Sequence, residues 1–343
     1  MGLELKVATE RDRATWDAAV STDPGGSLFH TWAWLTTTAA FSVKRILGRA
    51  CHAELYPLMV YRGEELVALY PVFVYRHPLL TTSISGSYAD QMMYLGPITP
   101  TARLMRNRKR ESLGFELQNL FDAYLQETLH CRCIVVRRTP WSSADSRPWL
   151  RKGYDATPAH TYVFDLDRGS AVIFEGFHKE IRQNIRKLEK RGLDVDNGDI
   201  RDFAVIHRQL MERGRMGVQF SFFETLSHVL SPEQLQFLVL KDGGKTVGGV
   251  SLLNWQGRMH IWVGFPAVQG SYRANDLLMW RCIERAIEIG CSLVENMGAD
   301  DEATLLFKKR FNPRLVPYMT YRWEAPAFRF GRSAARFLRE VRG

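Results

Sequence analysis

Two segments of the chain, one in each half, show the same succession of apolar and polar positions. They are "LMVYRGEELVALYPVFVY" at residues 58–75 and "FLVLKDGGKTVGGVSLLN" at residues 237–254. Each has an apolar run, a turn that contains glycine, and a second apolar run, which is the pattern of a β-hairpin. The sequence therefore predicts two antiparallel strand pairs of the same kind.

After each hairpin the pattern changes to that of a helix and then to that of a further strand. The helical segments are "LGFELQNLFDAYLQETLH" and "NDLLMWRCIERAIEIG", and the strands that follow them are "CRCIVVR" and "CSLVENMG". In the helix predicted over 275–290, the apolar residues recur at helical spacing and form one stripe: Leu278, Cys282, Ile283, Ala286 and Ile289. Because both halves repeat the same order of elements, we predict a mixed α+β fold that is used twice.

The boundary between the two halves is expected near residues 151–169, where glycine, proline and polar residues precede a new strand, "TYVFDL". A length of 343 residues also suits two domains better than one. We predict domains over 1–155 and 156–314, with 315–343 packing back on the first domain.

Composition adds a basic surface to this picture. The net charge is +9, and the excess is concentrated in 103–110, 178–192 and 328–343. Such clusters favour a polyanion such as RNA, and a solvated basic surface is the alternative for each of them. On the helix predicted over 177–191, three cations lie on one face at i, i+4 and i+8, and they form either a phosphate-binding surface or an exposed face: Arg182, Arg186 and Lys190.

Several classes of protein are disfavoured by the sequence. No apolar run is long enough for a bilayer and the first residues do not resemble a signal peptide, so we expect a cytoplasmic protein without a membrane partner. The five cysteines are an odd number without a C-x-x-C pair, which argues against a disulfide framework and a zinc site. We expect no metal.

Familiar catalytic motifs are also missing, including G-x-S-x-G, H-E-x-x-H, the Walker A motif and G-x-G-x-x-G. The acidic segment "ENMGADDEA" at 295–303 contains Glu295 and Glu302, and we interpret its acids as caps of the helix that follows. His30 lies among aromatic residues in "SLFHTWAW", where a packed histidine is more common than a catalytic base.

The segment 267–313 resembles the C-terminal half of the FemABX peptidyltransferases, a branch of the GNAT acyltransferase superfamily. The residues that carry the resemblance are Tyr272, Leu277, Leu278, Trp280, Gly298, Phe307, Lys308 and Phe311. The segment 177–195 is similar to the family's basic "R-x-x-I-R-K-A-E-K-x-G" helix. The segment 26–34 resembles its early "F-Q-x-x-x-W" segment, with His30 in place of glutamine.

The resemblance implies two tandem GNAT-like domains and transfer of an amino acid from aminoacyl-tRNA to the amino group of a small peptide, with no cofactor beyond this co-substrate. Lys308 matches the family's Phe-Lys lysine, so it is expected to stabilise the developing oxyanion. Expected substrate-binding residues are Phe307, Trp34, His30, Tyr272 and Trp262. Expected tRNA-binding residues are Arg182, Arg186, Lys190, Lys309 and Arg310, although Lys309 and Arg310 match nothing in the family. We expect a monomer.

Two departures from the family concern the acceptor. The family's enzymes for UDP-linked precursors have a lysine just after the early tryptophan, whereas "LTTTAAF" follows Trp34 here. Their diphosphate-binding arginine corresponds to a position near Ser221, within 215–226. The resemblance therefore favours a peptide natural product, such as a peptidyl-nucleoside antibiotic, over a UDP-linked peptidoglycan precursor.

Two other functions remain open. An acyl-CoA-dependent N-acyltransferase would cradle the pyrophosphate in a glycine-rich loop, but "QGSYRAND" at 269–276 has Arg273, Ala274 and Asn275 where glycines are expected. A non-enzymatic RNA-binding protein built on an acyltransferase core would also suit the basic clusters.

Overall fold

The computed structural model describes residues 2–86, 92–142, 145–214, 216–264, 273–298 and 302–329. The chain divides into two compact units. The first unit extends to Pro158 and resumes at Tyr318, and the second unit is Ala159–Pro317.

The first unit begins with a strand and two helices and continues with a group of long strands. In chain order its elements are β1 (Leu3–Val7), α1 (Arg13–Thr22), α2 (Trp32–Phe41), β2 (Val43–Ile46), β3 (Arg49–Arg62), β4 (Glu65–His77), β5 (Leu80–Ser85), α3 (Asn107–Ala123), β6 (Cys133–Arg137) and α4 (Arg147–Arg151).

The second unit has the same general composition of strands and helices. Its elements are β7 (Asp155–Asp165), α5 (Ser170–Glu175), α6 (Lys179–Lys190), β8 (Asp194–Gly198), α7 (Ile200–Glu212), α8 (Phe220–Val229), β9 (Leu235–Asp242), β10 (Lys245–Trp255), β11 (Arg258–Gly264), α9 (Ala274–Glu288), β12 (Leu293–Asn296) and α10 (Glu302–Lys308). Strand β13 (Arg314–Glu324) follows, and its residues from Tyr318 onward belong to the first unit.

The sheet of each unit is built in the same order. In the first unit, β3 and β4 form an antiparallel hairpin, β5 pairs with β4, β6 pairs parallel with β5, and the end of β13 pairs antiparallel with β6. In the second unit, β9 and β10 form the hairpin, β11 pairs with β10, β12 pairs parallel with β11, and β7 pairs antiparallel with β12. The predicted α+β fold, repeated in the two halves, is confirmed.

The parallel pair in each unit requires a crossover, and a helix supplies it. Helix α3 connects β5 to β6 and helix α9 connects β11 to β12. The apolar stripe predicted on α9 is buried against the sheet, since Leu278, Cys282 and Ile283 are fully shielded from solvent. Burial of such a stripe, at ~25 cal/mol for each Å² of apolar surface, holds the helix on the sheet.

Helix α6 covers the same face of the second sheet beside α9. Its Ile181, Ile185 and Leu188 are fully buried, and its polar residues lie on the opposite face. The sequence predicted this amphipathic helix. In the part of the chain that the structure describes, none of the helices is long and apolar enough to cross a membrane.

Candidate active site

Lys308 ends helix α10 and points its ammonium group into the second unit. The residue is 9% exposed, and Nζ donates hydrogen bonds to the backbone carbonyls of Asn296, Met297 and Gly298, at 3.3 Å for Asn296 and 2.8 Å for Gly298. An ammonium has three N–H donors, so each donor has one carbonyl partner. These carbonyls belong to the end of β12 and the two residues after it.

Two aromatic rings hold Lys308 in this position. Phe311 is buried in the core of the second unit, where its ring centroid lies 5.1 Å from that of Phe177. Phe307 packs against the same core, with its centroid 5.3 Å from that of Phe311. Beyond Phe311, Asn312 takes the left-handed conformation with φ 54°, which ends the helical turn and leads the chain into β13.

The three carbonyls lie at the open end of the parallel pair β11–β12. Pairing runs from Arg258 with Leu293 to Ile261 with Asn296, whereas β11 continues to Gly264. The two strands therefore separate where Lys308 binds. A cation here is placed to stabilise negative charge beside the strand end, provided that a substrate oxygen replaces one of the three carbonyls.

A second polar group lies within the strands just before this end. Glu295 is fully buried, Thr161 donates a hydrogen bond from Oγ1 to its Oε1 at 2.8 Å, and Nε2 of His260 lies 3.4 Å from Oε2. The parallel register places His260 beside Glu295, and Thr161 comes from the segment of β7 next to β12. A buried carboxylate next to an imidazole can hold or pass on a proton.

The prediction that Glu295 caps the following helix is wrong. The strand β12 extends through Glu295 to Asn296, and α10 begins seven residues after Glu295, at Glu302. The carboxylate is therefore too early in the chain to meet the free N–H groups of α10. Asp300 and Asp301, which were interpreted in the same way, lie outside the described residues.

The remaining substrate-binding candidates are in different surroundings. Trp262 packs its ring 5.3 Å from that of Phe223 in α8. Trp34 and His30 belong to the first unit and are fully buried. Tyr272 lies outside the described residues.

His30 has the packed environment that its aromatic neighbours indicated. Its Nδ1 lies 2.9 Å from the Ser27 hydroxyl and its Nε2 lies 3.0 Å from the Gly96 carbonyl oxygen. Both ring nitrogens therefore take part in hydrogen bonds within the first unit, and the side chain serves the packing of the short turn Leu28–His30.

The three cations predicted to form one surface on α6 differ in what they contact. Arg182 donates to the carbonyls of Glu175 at 2.7 Å and Phe177 at 2.6 Å, so it holds the connection between α5 and α6. Arg186 forms an ion pair with Glu175 at 3.4 Å. Lys190 is exposed.

The two cations after Lys308 also differ from each other. Arg310 binds the Glu180 carboxylate at 2.6 Å, while Lys309 is exposed. Among the predicted tRNA-binding residues, Lys190 and Lys309 are exposed, whereas each of the three arginines binds a neighbouring residue.

One polar cluster was missed in the sequence. Asp276, in the first turn of α9, is fully buried, and its Oδ2 accepts a hydrogen bond from Asn184 Nδ2 at 2.9 Å. Asn184 also binds the Arg273 carbonyl at 3.0 Å, and Arg273 Nε lies 3.4 Å from the Asp276 carboxylate. Burial raises the pKa of Asp276. The sequence does contain a signal for this cluster, because Asp276 directly precedes the apolar residues Leu277 and Leu278 of α9.

The family model that matches this chain covers most of the second unit. Residues 176–309 match the family model of the acetyltransferase (GNAT) domain. The curated proteins include no match to the chain.

Solved structures match nearly the whole chain at low identity. A crystal structure of FemX matches with a TM-score of 0.65 and 14% identity, over 92% of this chain and 96% of that chain. L-PGS from Bacillus licheniformis matches with a TM-score of 0.55 and 12% identity, over 92% and 93%. A tandem GNAT protein from the clavulanic acid biosynthesis pathway matches with a TM-score of 0.52 and 12% identity, over 94% and 98%.

These matches agree with the repeat of hairpin, crossover helix and parallel strand in the two units, and they confirm the predicted tandem GNAT-like fold. Residues 176–309 are similar to the acetyltransferase (GNAT) domain, and the chain has the fold of FemX and of a tandem GNAT protein.

Proposed function

We propose that this protein is an aminoacyltransferase that moves an amino acid from aminoacyl-tRNA to the amino group of a small peptide. The observation that carries the proposal is the buried ammonium of Lys308 at the open end of β11–β12. The GNAT domain and the FemX fold make acyl transfer the class of reaction.

Aminolysis of an ester needs few catalytic groups. The acceptor nitrogen attacks the ester carbonyl of the donor, and a tetrahedral intermediate forms with negative charge on the former carbonyl oxygen. This charge is where an ammonium stabilises the transition state. The intermediate then collapses, the C–O bond to the ribose breaks, and the proton lost by the nitrogen ends on the ribose hydroxyl. The reaction therefore needs positioning and one cation, and no further cofactor.

The proposed donor fits the polar surroundings of α9 better than acyl-CoA does. The described start of this helix carries hydrogen-bond acceptors, since the Asp276 carboxylate and the Arg273 carbonyl both accept from the Asn184 amide. A pyrophosphate cradle needs backbone N–H groups that a ligand can approach closely. A buried carboxylate at this helix start would also repel a pyrophosphate.

The acceptor we propose is a peptide without a UDP group. The sequence after Trp34 has no cation until Lys44, and the position near Ser221, on α8, has no arginine. The fold is shared with FemX and also with a protein from the clavulanic acid biosynthesis pathway. The same fold therefore occurs in a protein of natural-product biosynthesis, which agrees with a natural product as acceptor.

The donor is tested by incubating the protein and an amine-bearing peptide with either charged tRNA or acyl-CoA. We expect transfer from charged tRNA. Transfer from acyl-CoA alone would refute the proposal in favour of an N-acyltransferase, and tRNA binding without transfer to any acceptor would favour an RNA-binding protein.

The role of Lys308 is tested beside its neighbour. Lys308→Ala should lower the transfer rate about 10²- to 10³-fold, the usual effect of removing an oxyanion ligand. Lys309→Ala removes an exposed lysine one residue away. At saturating charged tRNA it should change the rate less than about threefold, because a lost tRNA contact raises KM and leaves the chemical step unchanged. Circular dichroism checks that both variants are folded, and equal rates in the two folded variants would contradict the assignment.

A further inference from the structure

The first unit contains a cavity of about 370 Å³ beside helix α3. This volume is in the range of sites for small molecules. Its apolar wall comes from one side of α3 and from the segment that follows β6, with Leu113, Leu117, Phe121 and Trp149 among the lining residues. The cavity is distinct from the candidate active site, since all of its lining residues belong to the first unit.

The charged residues at the cavity have an excess of positive charge. Three arginines line it together with Glu111 and Asp145. Both acids bind one of these arginines, Arg147, at 3.1 Å and 2.9 Å. The other two cations of the lining are Arg110, which donates to Asn107, and Arg138, which forms a hydrogen bond with Tyr321 and lies within electrostatic reach of Asp23 and Asp145.

Arg138 is the more buried of these two arginines. Its Nε is shielded from solvent and has no hydrogen-bond acceptor among the residues that the structure describes. Burial lowers the pKa of Arg138. A buried guanidinium N–H without an acceptor is costly, and an anionic ligand in the cavity would supply the acceptor and the opposite charge.

Gly114 is a second feature that the fold itself does not require. It lies in the middle of α3, where glycine costs roughly 1 kcal/mol relative to alanine. A Cβ at this position would meet only the Cγ of Pro148, at 3.6 Å, an ordinary van der Waals distance. Because Gly114 also lines the cavity, the missing side chain leaves room at the cavity wall.

The internal repeat relates the position of this cavity to the candidate active site. Arg138 directly follows β6, the second strand of the parallel pair β5–β6. In the second unit, the carbonyls that bind Lys308 stand at the end of β12, the second strand of the pair β11–β12. Each unit thus places a cation at the carboxyl end of its parallel pair, partly buried in the first unit and buried in the second, at the edge where ligands bind in many α/β sheets.

We propose that the cavity is a second ligand site, which binds a small amphipathic anion. A phosphate or carboxylate group of the ligand contacts Arg138 and Arg110, and an apolar body fills the space along α3 beside Gly114. This site is independent of the proposed transfer reaction, and its test does not require turnover.

The test is isothermal titration of the full-length protein with octyl phosphate, octanoate and octylamine, which share a chain and differ in the head group. We expect both anions, or one of them, to bind at least tenfold more tightly than the amine. The anion that binds more tightly shows whether the site prefers a phosphate or a carboxylate head group. Equal binding of all three probes, or no binding of either anion at millimolar concentration, would overturn the proposal.

Two variants locate the binding. Gly114→Leu fills the cavity and should abolish binding of the anion, while the matched control Gly114→Ala should retain most of it. Arg138→Met keeps the apolar volume and should reduce the preference for anion over amine to less than threefold. Anion binding that survives unchanged in both Gly114→Leu and Arg138→Met would place the ligand elsewhere and refute the assignment.

Discussion

Asp122 should make the first unit less stable as the pH rises, and Asp122→Asn should remove this dependence. The carboxylate is buried beside α3, and its Oδ1 accepts hydrogen bonds from Gln118 Nε2 at 2.9 Å and from the Tyr154 hydroxyl at 2.7 Å. Its Oδ2 has no hydrogen-bond partner within the described ranges. Burial is the larger effect, and it raises the pKa of Asp122 from 3.8 to about 6 although the two hydrogen bonds lower it.

The magnitude follows from the difference between the folded and unfolded pKa. Because the folded state binds the proton more tightly, the stabilisation by the neutral carboxyl is complete below pH 3.8 and is lost as the pH rises through about 6. The loss at pH 7 amounts to about 3 kcal/mol. An asparagine stays neutral at every pH, and its Oδ1 can accept the same two hydrogen bonds. The variant should therefore gain about 2.4 kcal/mol relative to the wild type between pH 4 and pH 7, since about 0.6 kcal/mol of the loss has already occurred at pH 4.

The assay must report on the first unit by itself, since a chain with two units need not unfold in one step. Urea unfolding at pH 4, 5, 6 and 7, followed by pulsed hydrogen exchange of peptides from α3, does so. Asp12→Asn is the control within the same unit, because Lys6 lowers the pKa of Asp12 and its loss should act in the opposite direction. If the wild type and Asp122→Asn show parallel stability profiles over this range, the buried carboxylate is not charged in the way described.

Three further predictions concern the second unit. Ile185→Ala should lower the free energy of unfolding by about 2–5 kcal/mol, measured by urea denaturation, because it empties a fully buried site. Gly264→Ala should prevent proper pairing of β10 and β11, since a Cβ would collide with the Gly249 carbonyl, and a loss of folded protein in circular dichroism would show it. Lys190→Glu should weaken tRNA binding and flatten its salt dependence with an unchanged melting temperature, whereas Arg182→Glu should lower the melting temperature through the two lost carbonyl contacts. A normal melting temperature for Arg182→Glu would contradict its structural role.

The elements that the sequence predicted well are those whose signal is local. The two hairpins and the helices α3, α6 and α9 each occupy a short segment with a strong apolar period. Because the same order of elements occurred twice, the repeat also predicted the fold class, and the strand pairing of the two units bears this out. The parallel pairs were not predicted, although the helices α3 and α9 between the strands supply the crossover that such a pair requires.

The polar contacts of the candidate site could not be predicted in the same way, because they depend on register and distant segments. Glu295 is followed by a helix in the sequence, and this local context suggested a cap. Its actual partners are Thr161 and His260, which pairing of β12 with β7 and with β11 brings to it. The three cations of α6 illustrate the same limit, since spacing placed them on one face, and contacts with the preceding loop engage the guanidinium of Arg182.

Lys308 depends on both a local sequence signal and contacts with a distant segment. Its position after Phe307 pointed to an oxyanion ligand, but the structure gives all three of its N–H donors to the carbonyls of Asn296, Met297 and Gly298. If the ammonium is to meet an oxyanion, at least one of these carbonyls must give up its hydrogen bond, and a carbonyl left without a partner costs about 1–3 kcal/mol. The ammonium already forms charge-assisted hydrogen bonds with these carbonyls, and an oxyanion adds the attraction of a full opposite charge, so the exchange is favourable only when the negative charge has developed. In the proposed reaction, the same contacts that hold the strand end in the resting protein would make the lysine selective for the transition state over the bound substrate.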